Sequence, residues 1–312
     1  MQFPFNVPQK RDFDVAGFGT NAVDFLIRVP EYPAFNSKIE LVDYVRAAGG
    51  EVATAMAGIQ RLGLKTAYIG RFGGDDAGDL GLQTLIDEGV DVSYAETIPD
   101  AVTQIAFIVI DVRNGERTVI WQRDAKLAYK ESEVPVDAVA RCRILHITPH
   151  DTKACIKLAQ AAKANGVIVS LDIDKLFDDI QELLPLVDIM IGSAGFPEEL
   201  LGISDQRVAI REIGSRFGCG VVGVTLGEKG SLLLSGEKFI ATQGFAVPDG
   251  CKDTTGAGDA FRVGLLYGML TGETVEASAK MANAVAALKC RAVGARTALP
   301  NTEELNGLIR NR

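Results

Sequence analysis

Small and acidic residues in the run Asp253-Thr254-Thr255-Gly256-Ala257-Gly258-Asp259 have the spacing of an anion-binding turn at the start of a helix. Apolar residues recur at every fourth position from 261 to 269, which predicts that a helix begins here. Glycine lets the backbone turn sharply and approach a ligand, and the first N–H groups of a helix lack internal partners. We therefore predict that the N–H groups of Gly256, Ala257 and Gly258 bind a phosphate or another oxyanion.

Asp259 adds a proton acceptor to this predicted anion site. A carboxylate in the first helical turn can accept the proton of a hydroxyl while that hydroxyl attacks a phosphoryl group. The alternative is that Asp259 only caps the helix and interacts with its dipole. The sequence contains no Gly-Lys dipeptide, which excludes a P-loop as a second nucleotide site.

Composition limits the class of protein. The 312 residues are 47% hydrophobic and 23% charged, as in globular proteins, and the formal net charge of −9 argues against a nucleic-acid or anionic-membrane surface. The five cysteines are widely spaced without a Cys-x-x-Cys motif, which favours reduced thiols rather than disulfides or zinc. Because no apolar run reaches membrane-spanning length and no signal-peptide pattern is present, we expect a cytoplasmic protein.

Strand and helix patterns alternate along the second half of the chain, which predicts an α/β fold. Such alternation produces a mostly parallel central sheet with helices on both faces, and ligands then bind at the carboxyl ends of the strands. We expect one domain, residues 1–312, because no linker or internal repeat divides the chain. The predicted strands are 13–18, 66–69, 144–147, 167–171, 187–191, 221–224 and 231–234, and the predicted helices include 51–62, 151–164 and 205–217.

A smaller β-sheet is expected to stand apart from the main one. Asn114-Gly115 lies between two apolar β-type runs, which predicts a hairpin. Strand-like residues also occupy 34–48, so we predict a small second sheet formed by roughly 28–48 and 100–123, in which Trp121 could simply pack as a hairpin aromatic.

The N-terminal glycines allow a second interpretation. The residues Gly17-Phe18-Gly19-Thr20-Asn21-Ala22 come close to the Gly-x-Gly-x-x-Gly/Ala dinucleotide fingerprint. That fingerprint needs a helix straight after the glycines, whereas residues 23–30 are extended in pattern and end at a proline, so we disfavour it. His146 and His150 are four residues apart, a spacing that suits a metal pair only on a helix, and Pro149 makes a helix there unexpected. We predict polar packing for both histidines. His150 and Asp151 could also reach a bound substrate.

The C-terminal run Asp-Thr-Thr-Gly-Ala-Gly-Asp-Ala-Phe, residues 253–261, closely resembles the signature of the pfkB carbohydrate kinases, the ribokinase-like family. Gly49-Gly50, followed by a helical pattern that ends in Arg61-Leu62-Gly63, is similar to the family's N-terminal signature. The resemblance covers nearly the whole chain. It implies that the small sheet is a lid over the sugar and often pairs two subunits, so that Trp121 and Arg123 would face the sugar or a partner chain. It implies a ribokinase-like fold in which Asp259 is the catalytic base and the residues 256–258 form the anion hole.

The same resemblance implies roles for residues elsewhere in the chain. The residues expected to bind the acceptor sugar are Asn21, Asp24, Gly49, Gly50 and Thr54. Thr54 departs from the family pattern, since an asparagine usually stands there.

The resemblance also implies a nucleotide site and two kinds of metal. The residues expected to bind ATP are Thr225, Gly227, Gly230 and Asn283, and Asp253 and Thr255 match where many relatives bind a monovalent cation such as K⁺. Mg²⁺ is expected with ATP, but the usual Asn-x-x-Glu is replaced by Ser193-Ala194-Gly195-Phe196, so Ser193 or Glu198 would have to serve instead.

We thus expect an ATP-dependent phosphotransferase that moves the γ-phosphoryl group of ATP to a hydroxyl of a small sugar or sugar derivative, working as a homodimer paired through the lid. A nucleoside kinase of the same fold is one alternative. The other is a non-catalytic descendant that binds sugar or nucleotide, an idea motivated by the altered positions Thr54, Ser193 and Phe196.

Overall fold

The computed structural model describes residues 1–310 and places their strands in two sheets. In chain order, these strands are β1 (Phe13–Phe18), β2 (Ala22–Val29), β3 (Asp43–Gly49), β4 (Thr66–Gly73), β5 (Asp91–Ile98), β6 (Ile105–Asp111), β7 (Arg117–Gln122), β8 (Cys142–Ile147), β9 (Ile168–Ile173), β10 (Ile189–Ser193), β11 (Val221–Thr225), β12 (Ser231–Ser235) and β13 (Lys238–Thr242). The α-helices are α1 (Glu51–Arg61), α2 (Asp76–Asp87), α3 (Val136–Ala140), α4 (Thr152–Ala164), α5 (Ile180–Leu183), α6 (Phe196–Leu201), α7 (Gln206–Phe217), α8 (Ala257–Leu270), α9 (Val275–Lys289) and α10 (Thr302–Arg310).

The large sheet has nine strands in the order β13-β12-β11-β10-β9-β8-β1-β4-β5. All neighbours from β11 to β5 pair in parallel, and only β12 and β13 are antiparallel additions at one edge. The central strands are runs of Ile, Val and Leu that are buried on both faces, as parallel strands covered by helices require. The mostly parallel α/β fold predicted from the alternation is confirmed.

Helices cover both faces of this sheet and create two apolar cores. One core packs α4 and α7 against the sheet, and the other packs α1, α8 and α9. Gly50 and Gly63 set the ends of α1 with positive φ angles of 87° and 88°, which side chains other than glycine adopt at a cost. The first residues of α1 and α8 lie near the strand ends at Asp172, Ser193 and Thr225.

The second sheet has four strands in the order β3-β2-β6-β7. Its outer pairs are antiparallel, as the hairpin prediction requires for β6 and β7, while β2 and β6 are parallel. One correction concerns its bounds. The sheet begins at Ala22 rather than near 28, and the prediction of strand-like structure over 34–42 is wrong. Pro30 and Pro33 lack the N–H groups that a strand uses, and Ser37 closes a turn onto the Ala34 carbonyl at 3.2 Å.

Residues 17–22 support no dinucleotide-binding turn, because β2 starts directly at Ala22 and no helix follows the glycines. Among residues 1–310 no helix is long and apolar enough to cross a membrane.

Candidate active site

A cleft of about 850 Å³ lies where the carboxyl edge of the large sheet meets the small sheet. Its walls combine strand ends, the first turns of α1 and α8, the inner face of α9, and the face of the small sheet that carries Asp24, Ala106, Ile108 and Trp121. The volume is typical of sites for small molecules and cofactors. The cleft is therefore the natural place to look for the predicted residues.

The turn before α8 forms the floor of this cleft. Gly256 holds φ at 78°, and a Cβ atom there would lie 2.9 Å from the Ala295 Cβ atom, so only glycine fits without displacement. The Ala257 N–H group donates to the Thr254 carbonyl at 3.1 Å. The N–H groups of Gly256 and Gly258 donate no hydrogen bond within residues 1–310. Two of the three predicted anion-binding donors, Gly256 and Gly258, are therefore available to a ligand, whereas the Ala257 N–H group is already hydrogen-bonded within the turn.

Asp259 lies in the first turn of α8 and lines the same floor. Its surroundings in the protein raise the pKa of this carboxyl to about 7, chiefly through burial and then through the neighbouring charge of Asp172, while Arg262 opposes the shift. A carboxyl with a pKa near neutrality is well matched to accepting a proton at physiological pH.

Arg262 holds the acidic floor together. Its guanidinium lies 2.5 Å from an Asp172 carboxylate oxygen and donates to the carbonyls of Gly258 and Ile191 at 2.9 and 2.8 Å. Burial raises the pKa of Asp172 to about 6, against the lowering effect of Arg262. This buried pair fixes the start of α8 against the ends of β9 and β10.

Asp24 and the two glycines form the end of the cleft that faces the small sheet. Asp24 and Gly50 line the cleft, and a Cβ atom on Gly49 would lie 2.0 Å from an Asp24 carboxylate oxygen. Burial raises the pKa of Asp24 to about 7, with Arg296 opposing. Arg296 itself donates to the Gly49 carbonyl and is buried. This arrangement brings Asp24, Gly49 and Gly50 together as predicted.

Two other residues predicted to bind the acceptor do not line the large cleft. Asn21 donates both amide hydrogens to β4, to the Tyr68 hydroxyl and the Arg71 carbonyl, each at 2.8 Å. The fully buried Thr54 hydroxyl lies 3.5 Å from the Arg296 guanidinium. In this structure Asn21 and Thr54 support the wall of the site, and direct contact with an acceptor stays a prediction for both.

Trp121 and His150, for which contact with the cleft or a substrate was one prediction, line the same end of the cleft. Glu51 and Lys175, which were not predicted, lie beside them. The Glu51 carboxylate lies 3.6 Å from His150 Nδ1, and neither of these two atoms has a hydrogen-bond partner in the described chain. Burial, followed by the charge of Asp259, raises the pKa of Glu51 well above its usual range. The Lys175 ammonium lies 5.0 Å from the Trp121 ring centre. Unpaired polar atoms next to an aromatic wall are suited to hydroxyl groups and the apolar face of a sugar ring.

His146 and Asp151 lie outside this group. His146 Nδ1 is 3.2 Å from the Ser170 hydroxyl in the core, and burial lowers its pKa to about 3. Asp151 accepts two hydrogen bonds of 2.8 Å from Arg123, which ties the end of the lid to the main sheet.

The hairpin tip of the small sheet is fastened to the anion-binding turn. The Thr254 N–H group and hydroxyl donate to the Gly115 carbonyl at 3.1 and 3.0 Å. Arg117 reaches from β7 to the Thr254 hydroxyl at 2.9 Å and lines the cleft. The sheet that carries Asp24 is thereby joined to the segment that positions Asp259.

The opposite end of the cleft contains all four residues predicted for the nucleotide. Thr225, Gly227, Gly230 and Asn283 line it. A Cβ atom on Gly230 would lie 2.0 Å from the Thr242 carbonyl, so the loop after β11 depends on glycine there. Asn283 donates to the Ser231 hydroxyl at 2.9 Å, and the small residues Ala286 and Ala287 beside it leave a slot in which a flat ring could lie.

The altered metal motif occupies the end of β10. Ser193 lines the cleft and donates to the Asp174 carbonyl at 2.9 Å. Phe196 is fully buried, and Glu198 accepts a 2.6 Å hydrogen bond from Ser204, away from the cleft. Asp172 and Asp174 are the carboxylates that β9 brings to the cleft close to Ser193.

Asp253 and Thr255 lie directly before the anion-binding turn. Both Asp253 carboxylate oxygens accept backbone N–H groups, from Thr255 at 2.7 Å and from Gly294 at 2.8 Å. The Lys289 ammonium donates to the Asp253 carbonyl at 2.8 Å, and both side chains are fully buried. Residues 1–310 contain no cluster of three or more His, Cys, Asp or Glu that could hold a metal ion.

A helix start that can hold a phosphoryl group, next to a carboxylate that can take a proton, is the arrangement of a small-molecule kinase. Residues 13–302 match the pfkB family of carbohydrate kinases, and the chain belongs to that family. A fructokinase from Salmonella typhimurium is 32% identical over 285 residues, which cover 84% of this chain and 92% of that protein.

Other relatives extend the comparison. A nucleoside kinase from Methanothermobacter thermautotrophicus is 26% identical over 299 residues, which cover 94% of each protein. Arabidopsis thaliana ribokinase, solved with ribose and ATP, has the same fold, with a TM-score of 0.81 at 24% identity over 96% of this chain and 99% of that one. The predicted ribokinase-like fold is therefore confirmed.

Several residues of the site were not predicted from the sequence, although strand ends and helical spacing could have indicated some of them. Asp172 follows a buried strand, where ligands of α/β proteins gather. Lys289 follows Ala282 by seven positions, so it continues the buried stripe of α9. The contacts of Arg117 and Arg296 depend on segments far apart in the chain, and no local pattern indicates them.

Proposed function

We propose that this protein transfers the γ-phosphoryl group of ATP to a hydroxyl of a small sugar or sugar derivative, with Asp259 as the base. The observation that carries the proposal is the pairing, at the floor of one cleft, of Asp259 with the available N–H groups of Gly256 and Gly258. Asp259 accepts the hydroxyl proton, and the N–H groups stabilise charge on the phosphoryl group in transfer. The whole chain acts as one catalytic domain, with the small sheet as its lid.

ATP lies along the cleft from the Thr225–Gly230 loop and the Asn283 slot to the start of α8. Mg²⁺ usually keeps several waters and binds through one or two carboxylates together with phosphates. The residues present fit such an ion, because Asp172 and Asp174 both line the cleft. When bound with ATP, the ion neutralises charge on the phosphates. Asp172 and Asp174 would hold the ion, and Ser193 would help to position Asp174 by donating to its carbonyl at 2.9 Å.

The acceptor lies at the other end, against Asp24, Gly50 and the wall formed by Trp121 and His150. The named relatives include a fructokinase and a nucleoside kinase, so both acceptor classes are candidates. The aromatic wall and the unpaired Glu51 carboxylate suit either a sugar ring or the ribose of a nucleoside. Water excluded by the lid would otherwise compete as the acceptor.

Acceptor-dependent ADP release tests the proposal. The purified protein is given MgATP and a panel of pentoses, hexoses, keto-acid sugars, sugar phosphates and nucleosides, one at a time. We expect at least one compound to raise ADP release well above the hydrolysis measured without acceptor. ATP binding without acceptor-dependent ADP release from any compound would favour the non-catalytic alternative.

The pH dependence of kcat/KM follows from the pKa values of the two cleft carboxyls. Asp259 accepts a proton only when ionised, and its pKa is about 7. The rate should therefore be constant above neutrality and fall by about tenfold for each pH unit below it. Asp24, with its pKa also about 7, steepens the fall if its ionised form is needed.

The profile is measured at a constant concentration of MgATP, because ATP itself titrates near this range. The Asp24→Asn variant separates the two groups and should keep a fall of about one decade per pH unit. A flat profile from pH 5.5 to 8 would contradict the assignment of Asp259.

A second copy of the chain covers the outer face of the lid in our proposal. Phe25, Phe107 and Ile120 form an apolar row across this face, and Phe107 and Ile120 are 43% and 59% exposed. Phe107→Glu should convert a dimer to monomers in sedimentation experiments. Val208→Glu changes an equally exposed residue of α7 and should leave the dimer intact. A monomeric wild-type protein would contradict this proposal.

The protein is proposed to work in the cytoplasm. The support is the supply of ATP there and the five cysteines, all of which are free thiols.

A further inference from the structure

The buried Lys289 side chain places a positive charge next to Asp253, at the start of the anion-binding turn. The Lys289 side chain, on the last turn of α9, is completely buried, and its ammonium lies 2.8 Å from the Asp253 carbonyl oxygen and 3.7 Å from an Asp253 carboxylate oxygen. A buried lysine is rare without a specific partner, because removing an ammonium from water is costly. Its partner here is the residue that starts the turn leading to Gly256.

The groups around Lys289 join three segments of the cleft floor. The Asp253 carboxylate accepts the N–H groups of Thr255 and Gly294 at 2.7 and 2.8 Å. The Lys252 N–H group donates to the Cys290 carbonyl at 2.9 Å. Ala295, next to Gly294, packs against Gly256 at the anion hole. The ammonium therefore lies where the segment before α8, the end of α9 and the 294–296 loop meet.

The contacts of the Lys289 ammonium compete with the monovalent cation that the family resemblance predicted at Asp253 and Thr255. A cation bound to the Asp253 carbonyl would have to share that oxygen with an ammonium of the same charge, and both carboxylate oxygens already have N–H donors. Like charges at such a distance repel strongly in a buried environment. The residues present fit a lysine side chain and do not fit an additional ion.

We propose that Lys289 replaces the monovalent cation: its ammonium supplies the positive charge that orders the turn behind the anion hole, so the protein needs no K⁺. The part of this inference that concerns activity rests on the proposed kinase function. The part that concerns ion binding and stability does not depend on it.

The first test compares thermal unfolding of the wild-type protein in KCl and in choline chloride at equal ionic strength. We expect the same unfolding midpoint in both, and the same acceptor-dependent rate. In Lys289→Ala the ammonium is gone and a space opens at the Asp253 carbonyl. Potassium at about tenfold above its Kd should then raise the midpoint of this variant by about 2 °C relative to choline.

Lys280→Ala is the matched control, because Lys280 lies on the same helix and its ammonium has no partner among residues 1–310. It should behave like the wild-type protein in both salts. The rate of Lys289→Ala should be low in choline and partly restored by K⁺. Lys289→Met, which keeps most of the buried stem and fills the space, should lose activity without being rescued by K⁺.

Wild-type crystals soaked in a thallium(I) salt provide a measurement that needs no variant. We expect no anomalous scattering peak beside the Asp253 carbonyl. A thallium peak there, or a K⁺-specific rise in the wild-type unfolding midpoint, would overturn the proposal. A Lys289→Ala protein that folds normally and whose unfolding midpoint does not rise in K⁺ would also overturn the proposal. These readouts stay informative even if no acceptor is found, so a failure here is distinct from a failure of the proposed function.

Discussion

Replacing Asp259 with asparagine should lower kcat by about 10²- to 10⁴-fold, the usual contribution of a general base. Asparagine has nearly the same shape but cannot accept a proton from the attacking hydroxyl. The carboxyl lies in the first turn of α8 with a pKa of about 7, so its ionised form is available at neutral pH. ATP affinity should stay close to the wild-type value, because asparagine keeps the shape of the side chain and most of the proposed nucleotide contacts lie at the Thr225–Gly230 loop and Asn283. The measurements are steady-state kinetics and calorimetric titration with ATP.

Asp79→Asn is the matched control for this variant. Asp79 also lies in the first turn of a helix, α2, but it is exposed and does not line the cleft. This substitution removes the same interaction with a helix dipole and should leave the kinetics unchanged. If Asp259→Asn kept more than about a tenth of the wild-type rate, its role as the base would be refuted.

Gly256→Ala should have the second-largest effect, a loss of about 10²- to 10³-fold in kcat, which is the typical cost of losing one oxyanion donor. An alanine at φ 78° is strained, and its Cβ atom would lie 2.9 Å from the Ala295 Cβ atom and 3.0 Å from its Cα atom. The turn must then shift, and the N–H groups of Gly256 and Gly258 no longer point at the phosphoryl group. Steady-state kinetics and thermal unfolding are measured together.

Gly272→Ala separates the backbone strain from the displacement of the anion hole. Gly272 has a comparable φ of 87° just after α8, but a Cβ atom there meets nothing within 4 Å. Both variants should lose some stability, and only Gly256→Ala should lose activity. Equal kinetic losses in the two proteins would show that the N–H groups of the turn are not used.

Features encoded by short segments were predictable from the sequence. The start of α8 follows from glycine conformation and from the apolar spacing behind it, and both act within one or two helical turns. Seven of the nine strands of the large sheet follow from buried runs of Ile, Val and Leu, whereas the edge strands β5 and β13 are only partly buried and were not predicted. The four residues predicted to bind the nucleotide lie together at one end of the cleft, in part because their loop needs glycine at positions such as Gly230, and their contact with ATP stays a prediction.

Side-chain direction was much less predictable. Asn21 follows β1 as expected, yet its amide hydrogens go to Tyr68 and Arg71 on β4 rather than to the large cleft. Thr54 lies 3.5 Å from Arg296, which is 242 residues away in the chain. Which partner a buried polar side chain selects depends on contacts between distant segments, and residue spacing contains no record of them.

The partner of the Lys289 ammonium was likewise not predictable from the sequence. The place of Lys289 on the stripe of α9 marks it as buried, but only the structure shows that its ammonium reaches the Asp253 carbonyl. The resemblance to the family predicted an ion near Asp253. It could not indicate that the side chain of Lys289, at the end of α9, occupies that position. The helical spacing of α9 thus indicates that Lys289 is buried, but only the three-dimensional structure shows that it contacts Asp253.

A crystal structure with ADP, Mg²⁺, aluminium fluoride and the acceptor found in the panel tests the central claim most directly. The fluoride group mimics the phosphoryl group in transfer. We predict that it accepts hydrogen bonds from the N–H groups of Gly256 and Gly258, with the acceptor hydroxyl within about 3 Å of an Asp259 carboxylate oxygen. A fluoride group bound away from the start of α8, or an acceptor hydroxyl out of reach of Asp259, would contradict the account.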